Sequence, residues 1–443
     1  MMDDVKTTVE CKCEICGKTP AIREDGSTNY LIEVGDGKFV CLDCYKQISS
    51  SINDLSDYQS RIVQNSAEVT FNPSGIMGQD VKATPSRIKA ELDDYIIGQE
   101  RAKRVLSTAI YNHQLINNLR ETSPELVKDV EKSNVILLGP SGCGKTALIK
   151  RIAKSMNIPI VIEDITSFSS TGYVGKDVEA MCRDLYQAAN GDLELAQKGI
   201  IYIDEIDKCS RKGESASVSS DPNHEDLQFA LLKLIEGCDV EVCEKGLRHH
   251  PQAPTFKMNT ENILFIVGGA FEGIEKIIAQ RQKSAGSSIG FGSKITLDEN
   301  KAFNDFIMDV KTEDLKKYGL MPELLGRLPL ICPMTQLDEE ALVKILTEPK
   351  NSIAKQFISI FSLSGKGLDF SEEACKVIAH KAIERKTGAR SLRGIVTELL
   401  SDIMYKLPDE ADDKDLIGYL VDAKDGKLEV YRVTDDENMQ LVA

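Results

Sequence analysis

The chain has 443 residues, 42% of them hydrophobic and 28% charged, with a formal net charge of -16. That length exceeds one comfortable hydrophobic core, so two or three domains are expected. The acidic balance argues against phosphate-backbone binding, which rests on surplus Lys and Arg, and no run of about 18 apolar residues reads as a membrane span. Neither a nucleic acid nor a membrane is therefore expected as a partner. The start, Met1-Met2-Asp3-Asp4, is acidic and resembles neither a secretory signal nor a basic transit peptide, so a cytoplasmic protein is expected.

Residues 1–50 hold five of the 12 cysteines. Cys13-x-x-Cys16 and Cys41-x-x-Cys44 are two ligand knuckles. Between them, Tyr30 to Val34 and Lys38 to Val40 flank Gly35-Asp36-Gly37, the pattern of a hairpin turn. A hairpin brings the second knuckle beside the first, and four thiolates close a tetrahedral Zn²⁺ site with no open position. Cys11 is a neighbouring thiol that could compete as a ligand. A module this small has too little core to fold alone, and zinc could supply roughly 10–16 kcal/mol of apparent folding free energy. Residues 51–85, polar and carrying Pro73 and Gly75, read as a linker.

Residues 86–333 alternate buried-strand runs with helical periodicity. The runs are Val135 to Leu138, Ile200 to Ile203 and Ile263 to Val267; Val178, Met181, Cys182 and Leu185 share one helical face, as do Leu227, Ala230, Leu231 and Leu234. The fold class expected is α/β, with a mostly parallel sheet covered on both faces. Gly139-Pro140-Ser141-Gly142-Cys143-Gly144-Lys145-Thr146 follows the first strand and opens a helix at Ala147. This is the full phosphate-loop pattern in its proper strand-to-helix setting. Pro140 to Ala147 are expected to cradle ATP with backbone N–H groups and a helix N-terminus. Lys145 would reach the outer phosphates, and Thr146 would offer its hydroxyl to Mg²⁺.

Asp204-Glu205 emerges at the C-terminal end of a buried strand, where α/β sheets bind ligands. Asp204 is expected in the Mg²⁺ shell, and Glu205 beside the attacking water. Arg327, in Gly326-Arg327-Leu328-Pro329, and Arg390, in Gly388-Ala389-Arg390, are each by themselves ordinary surface ion-pair residues. A positioned Arg can contribute on the order of 10³–10⁵ to phosphoryl transfer. Residues 334–443 turn mainly helical. Ser371 is placed to cap a helix with Ala374, Cys375, Ile378 and Ala382 facing inward, and Leu416 to Val421 and Leu428 to Val433 flank a turn at Asp425-Gly426.

In this order the motifs resemble the ClpX unfoldase family over nearly the whole chain. The resemblance implies an AAA+ ATPase: a zinc-binding domain at 1–50, a linker at 51–85, a large domain at 86–333 and a small helical domain at 334–443. It implies that Leu92 to Glu100 brings Ile97, Gly98 and Gln99 to adenine. It makes Arg327 the finger that reaches a neighbour's ATP, Arg390 a sensor from the small domain, and the assembly a homohexamer. Gly172-Tyr173-Val174-Gly175 resembles the family's pore loop, which grips substrate chains. Ile289-Gly290-Phe291 resembles the tripeptide that docks a ClpP-type peptidase ring, and it sits in a Gly/Ser-rich stretch suited to insertion.

The activity implied is ATP-driven unfolding of proteins, with adaptors and a peptidase as partners and no peptidase activity in the chain. The rival readings are a remodelling chaperone without a peptidase and a nucleic-acid motor. Departures from the family are a longer insert between the zinc knuckles and Arg248-His249-His250 where Arg-Lys-His is usual. Cys143 stands where a small hydroxyl is common, which raises the prospect of oxidative sensitivity, and no polar first-sensor residue stands near Gly268-Gly269.

Overall fold

The computed structural model describes residues 31–35, 38–41, 84–156, 158–169, 176–210, 222–243, 255–285, 299–385, 387–434 and 439–442. The chain divides into two compact units, Met1–Gly78 and Gln79–Ala443. In the first, Leu31–Gly35 pairs antiparallel with Lys38–Cys41, with Ile32 opposite Val40. That agrees with the expected hairpin. Cys13, Cys16 and Cys44 lie outside the described residues, and Cys41 is described only as the last residue of its strand.

The second unit opens with α1 (Pro85–Asp93), whose start follows from local chemistry. Thr84 accepts a hydrogen bond from the Arg87 amide, and Pro85 occupies the first helical turn, where its missing N–H costs nothing. After a turn comes α2 (Glu100–Thr122), then β1 (Val135–Leu138), α3 (Lys145–Met156), β2 (Ile160–Asp164), α4 (Ala180–Ala188) and β3 (Ile200–Asp204). These are followed by α5 (Pro222–Glu236), the antiparallel pair β4 (Asp239–Cys243) and β5 (Thr255–Asn259), and β6 (Leu264–Gly269). Next are α6 (Ile274–Ala285), α7 (Glu299–Met308), α8 (Thr312–Tyr318), α9 (Pro322–Gly326) and β7 (Leu330–Pro333).

The main sheet has the order β7-β1-β6-β3-β2, and every pairing in it is parallel. All four residues of β1 and the first four of β3 are buried, because helices cover both faces. One apolar layer packs Ile136, Ile203 and Val267 against α4 and α5; the other packs Leu137, Tyr202 and Ile266 against α1, α2 and α3. The helical faces expected from periodicity meet the first layer: Val178, Met181, Cys182, Leu185, Leu227, Leu231 and Leu234 are all buried there.

The remainder forms its own apolar cluster from α10 (Glu339–Thr347), α11 (Ile353–Leu363), α12 (Glu372–Glu384) and α13 (Ala389–Lys406) with a small sheet. Ser371 caps α12 by accepting from the Ala374 amide, and Ala374, Cys375, Ile378 and Ala382 are buried as expected. The sheet has four strands in the order β8 (Gly367–Phe370), β9 (Leu416–Lys424), β10 (Lys427–Thr434) and β11 (Met439–Leu441). The hairpin β9–β10 was legible, with Asp425 and Gly426 both at positive φ in its two-residue turn. The outer strands were not. β8 is only four residues long, and β11 is exposed throughout, so it carries no alternating apolar signal.

Candidate active site

The phosphate loop joins β1 to α3 at the C-terminal edge of the main sheet. Gly142 and Gly144 have φ of +78° and +104°, which lets the backbone fold around an anion. Gly142 also has a neighbour that excludes any side chain: a β-carbon there would overlap the Thr387 carbonyl oxygen. The Lys145 ammonium is buried and donates to the loop's own carbonyls, Gly139 O at 2.6 Å and Pro140 O at 3.1 Å. A polyanion in the loop gives that ammonium a stronger, charge-assisted acceptor than either carbonyl.

Two hard oxygen ligands meet beside it. The Thr146 hydroxyl donates to Asp204 Oδ2 at 2.7 Å, while Asp204 Oδ1 accepts the Glu205 amide at 3.0 Å. A hydroxyl and a carboxylate next to a phosphate loop are the donor set Mg²⁺ takes, since that ion completes its octahedron with phosphate oxygens and water. Glu205 is exposed and held at φ +58°, a costly conformation for a residue with a side chain, and such strain concentrates at functional positions. Asp207, three residues beyond Asp204, was missed in the sequence. It is buried and accepts the Ala270 amide at 3.1 Å, which ties the acid turn to the end of β6. A carboxylate three residues beyond Asp204 was the only available signal.

A cavity of about 430 Å³ opens over the loop. Pro140, Ser141, Gly142 and Cys143 line one side; Leu337, Leu342, Ile383 and Gly388 of the helical cluster line the other. Polar loop against apolar helix suits a ligand with a phosphate tail and a flat base. The α13 helix is docked here by backbone contact: Ala389 N donates to Gly142 O at 3.4 Å, and a β-carbon on Gly388 would stand 3.1 Å from that oxygen. Arg390 is exposed in the first turn of this helix, next in sequence to the residue whose amide meets the loop.

Of the expected adenine segment, Ile97 is half-buried and Gly98 exposed. The Gln99 side chain has a further role within the chain. It is buried and spent on backbone, donating to Thr335 O at 2.8 Å and Cys143 O at 3.3 Å and accepting from Thr335 N at 3.0 Å. It clamps the phosphate loop to the segment that enters the helical cluster. The expectation for Cys143 is corrected. Its side chain is buried, and burial pushes the thiol pKa up, so the thiolate that oxidants attack is suppressed.

Arg327 lies elsewhere. It precedes β7, which runs parallel to β1, and Leu330 N donates to Asn134 O just before β1 begins. Arg327 is therefore at the N-terminal edge of the sheet, about 13 Å of strand away from the phosphate loop. Its side chain is 47% exposed and pairs with Glu236 at 3.1 Å, on the rim of an open cleft of about 610 Å³ that also holds Arg120, Lys132 and Asn134. Burial lowers the Lys132 ammonium in that cleft to about 8. Lys145, Thr146, Asp204, Glu205 and the start of α13 converge, and Arg327 does not join them. Tyr173, Val174, Arg248, His249, His250, Ile289, Gly290 and Phe291 lie outside the described residues.

Among the described residues no helix is long and apolar enough to cross a membrane. The family described as AAA domain (Cdc48 subfamily) matches residues 130–331, and the family described as the C-terminal, D2-small domain of ClpB protein matches residues 337–415. The ATP-dependent Clp protease ATP-binding subunit ClpX of Treponema denticola is 47% identical over 336 residues, covering 75% of this chain and 80% of that protein. Proteins of the same name from Borrelia duttonii and Borrelia recurrentis are each 42% identical over 408 residues, covering 91% of this chain and 89% of theirs. With a parallel α/β sheet, a phosphate loop and a helical cluster closing over it, this chain belongs to the ClpX family of AAA+ ATPases.

Proposed function

We propose that the chain uses ATP hydrolysis to unfold other proteins and passes them to a ClpP-type peptidase ring, working as a homohexamer. Its relatives' shared name, ATP-binding subunit of an ATP-dependent Clp protease, supports the activity and the partner. The observation that supports the oligomer is the separation of Arg327 from the phosphate loop of its own subunit, as expected of an arginine that completes a neighbour's site.

Within the site, the loop amides and Lys145 hold the phosphates, with Lys145 leaving the Gly139 and Pro140 carbonyls to do so. Thr146 and Asp204 would hold Mg²⁺, which supplies charge neutralisation on the outer phosphates. Glu205 orients the attacking water and takes its proton. Arg390 meets the nucleotide from the helical side, and Arg327 of the adjoining subunit stabilises charge developing on the transferred phosphoryl oxygens. A change in the angle across the cavity then moves the loop at Tyr173 and Val174 along substrate in the pore. Arg248, His249 and His250 line its entrance, and Ile289-Gly290-Phe291 dock the peptidase. Cys13, Cys16, Cys41 and Cys44 hold one structural Zn²⁺ in a separate N-terminal domain, with domains at 1–50, 86–333 and 334–443 and a linker at 51–85.

The test is a degradation assay with a tagged fluorescent protein and a ClpP-type ring. Glu205→Gln should bind ATP and abolish both turnover and degradation. Tyr173→Ala should keep turnover and lose most unfolding. Deleting Ile289 to Phe291 should keep unfolding and lose degradation. Unfolding that proceeds equally without Tyr173 overturns the pore reading, and degradation that survives the deletion overturns the docking reading. Metal analysis should return one zinc per chain, lost in Cys13→Ser.

A further inference from the structure

The end of β6, where the family resemblance leads one to expect a polar first-sensor residue, holds Gly268 and Gly269. What fills the space beside Gly268 comes from the next strand. Tyr202 pairs with Ile266 across β3 and β6, so its side chain shares a sheet face with Gly268, two residues further along. The phenol runs up that face toward the C-terminal edge, and a β-carbon on Gly268 would overlap its hydroxyl. Tyr202 is fully buried, and among the described residues its hydroxyl oxygen has no hydrogen-bond partner of good geometry. A buried hydroxyl left without a partner costs stability and calls for a reason.

The surroundings supply one. Asp204 is two residues beyond Tyr202 on the same strand, so the two share a sheet face, and Gly268, which the phenol reaches, stands one residue past the Val267–Ile203 pair. Asp204 in turn holds the Thr146 hydroxyl at 2.7 Å, and these two are the proposed metal ligands. A phenol hydroxyl carries a proton to give, and a carboxylate can only accept it, so any hydrogen bond between the two runs from Tyr202 to Asp204. Asp204 Oδ2 already accepts from Thr146 and Oδ1 from the Glu205 amide, and each carboxylate oxygen has a second lone pair to offer.

We propose that Tyr202 is a positioning residue of the hydrolytic site, donating its phenol hydrogen to the Asp204 carboxylate from beneath when metal and nucleotide settle the Thr146–Asp204 pair. Gly268 is glycine because the phenol must pass there. The ligand class concerned is a divalent cation with a nucleoside di- or triphosphate. This rests on Thr146 and Asp204 being the metal ligands. Partners that orient a metal ligand typically carry 10- to 100-fold in metal affinity or activity.

The experiment measures ADP affinity calorimetrically, in EDTA and in Mg²⁺, for the full chain, Tyr202→Phe and Asp204→Asn. Phenylalanine keeps the ring and removes only the orphaned oxygen, so the melting temperature without nucleotide should not fall. In Tyr202→Phe the gain in affinity brought by Mg²⁺ should shrink about tenfold, with affinity in EDTA unchanged. The Mg²⁺ concentration for half-maximal ATPase should rise in step. A full Mg²⁺ gain in Tyr202→Phe, or an equal loss in EDTA, overturns the proposal. If Asp204→Asn also keeps the full gain, the assignment of the metal ligands fails first, and the two failures are told apart.

Discussion

At the C-terminal edge of the main sheet, Lys145, Thr146 and Asp204 are already bonded within the subunit, and the Gly142–Ala389 contact brings α13 to the same place. At the N-terminal edge, Arg327 and Glu236 pair on an open, charged cleft that among the described residues has no phosphate-binding loop. On the proposed function, the first edge is half of a catalytic site and the second presents the arginine that completes a neighbour's, so hydrolysis would be coupled to assembly.

The sharpest way to break this contrast is Arg327→Ala. Turnover should drop by about 10³-fold or more with ADP binding unchanged. Mixing Arg327→Ala subunits with Glu205→Gln subunits should restore part of the rate, because each supplies what the other lacks. No recovery in steady-state ATPase of the mixture would place the arginine in its own subunit's chemistry.

Gly142→Ala attacks the other edge. The added β-carbon meets the Thr387 carbonyl, so the loop and α13 must separate. The cost is up to about 3 kcal/mol, read as lower nucleotide affinity and a lower melting temperature together. A normal affinity would show that the backbone contact is dispensable.

His113 distinguishes the edges by pH. Its ring bonds to Lys198 O just before β3, and burial first, then Lys132 and Arg120, lower its pKa from 6.5 to about 4. The unfolded chain takes up a proton between these values while the folded chain does not. Stability is therefore full above about pH 6.5 and falls as pH drops toward 4. The loss is on the order of 2 kcal/mol between pH 7 and 5. Urea unfolding at the two pH values should show it, and His113→Gln should flatten the difference. The smallest effect is expected of Glu236→Gln. The pair is half-exposed, so its loss should cost under about 1 kcal/mol. ATPase within about twofold of normal is the expected result; a large fall would mean that Glu236 does more than park Arg327.

Much of this was legible from local chemistry. Strand runs, the phosphate loop, the Ser371 cap and the Asp425-Gly426 turn each depend on neighbours within a few residues, and all are where the sequence led. The misses share a different cause. Gln99 serves Thr335 from 236 positions away, Asp207 serves Ala270, and β11 joins a sheet with no apolar alternation of its own. Cys143 raised the prospect of oxidation because it replaces a small hydroxyl in the loop, and packing buried it.

By itself the sequence determined which residue types could bind phosphate, ligate a metal and activate water, because those capacities reside in short stretches with fixed spacing. Tertiary structure alone decided which of them meet. Parallel pairing of β7 with β1 sends Arg327 to the far edge, and the close approach of Gly142 to the start of α13 brings Arg390 near. The reason is geometric: strand direction and helix docking are set by long-range burial, and no local pattern encodes them.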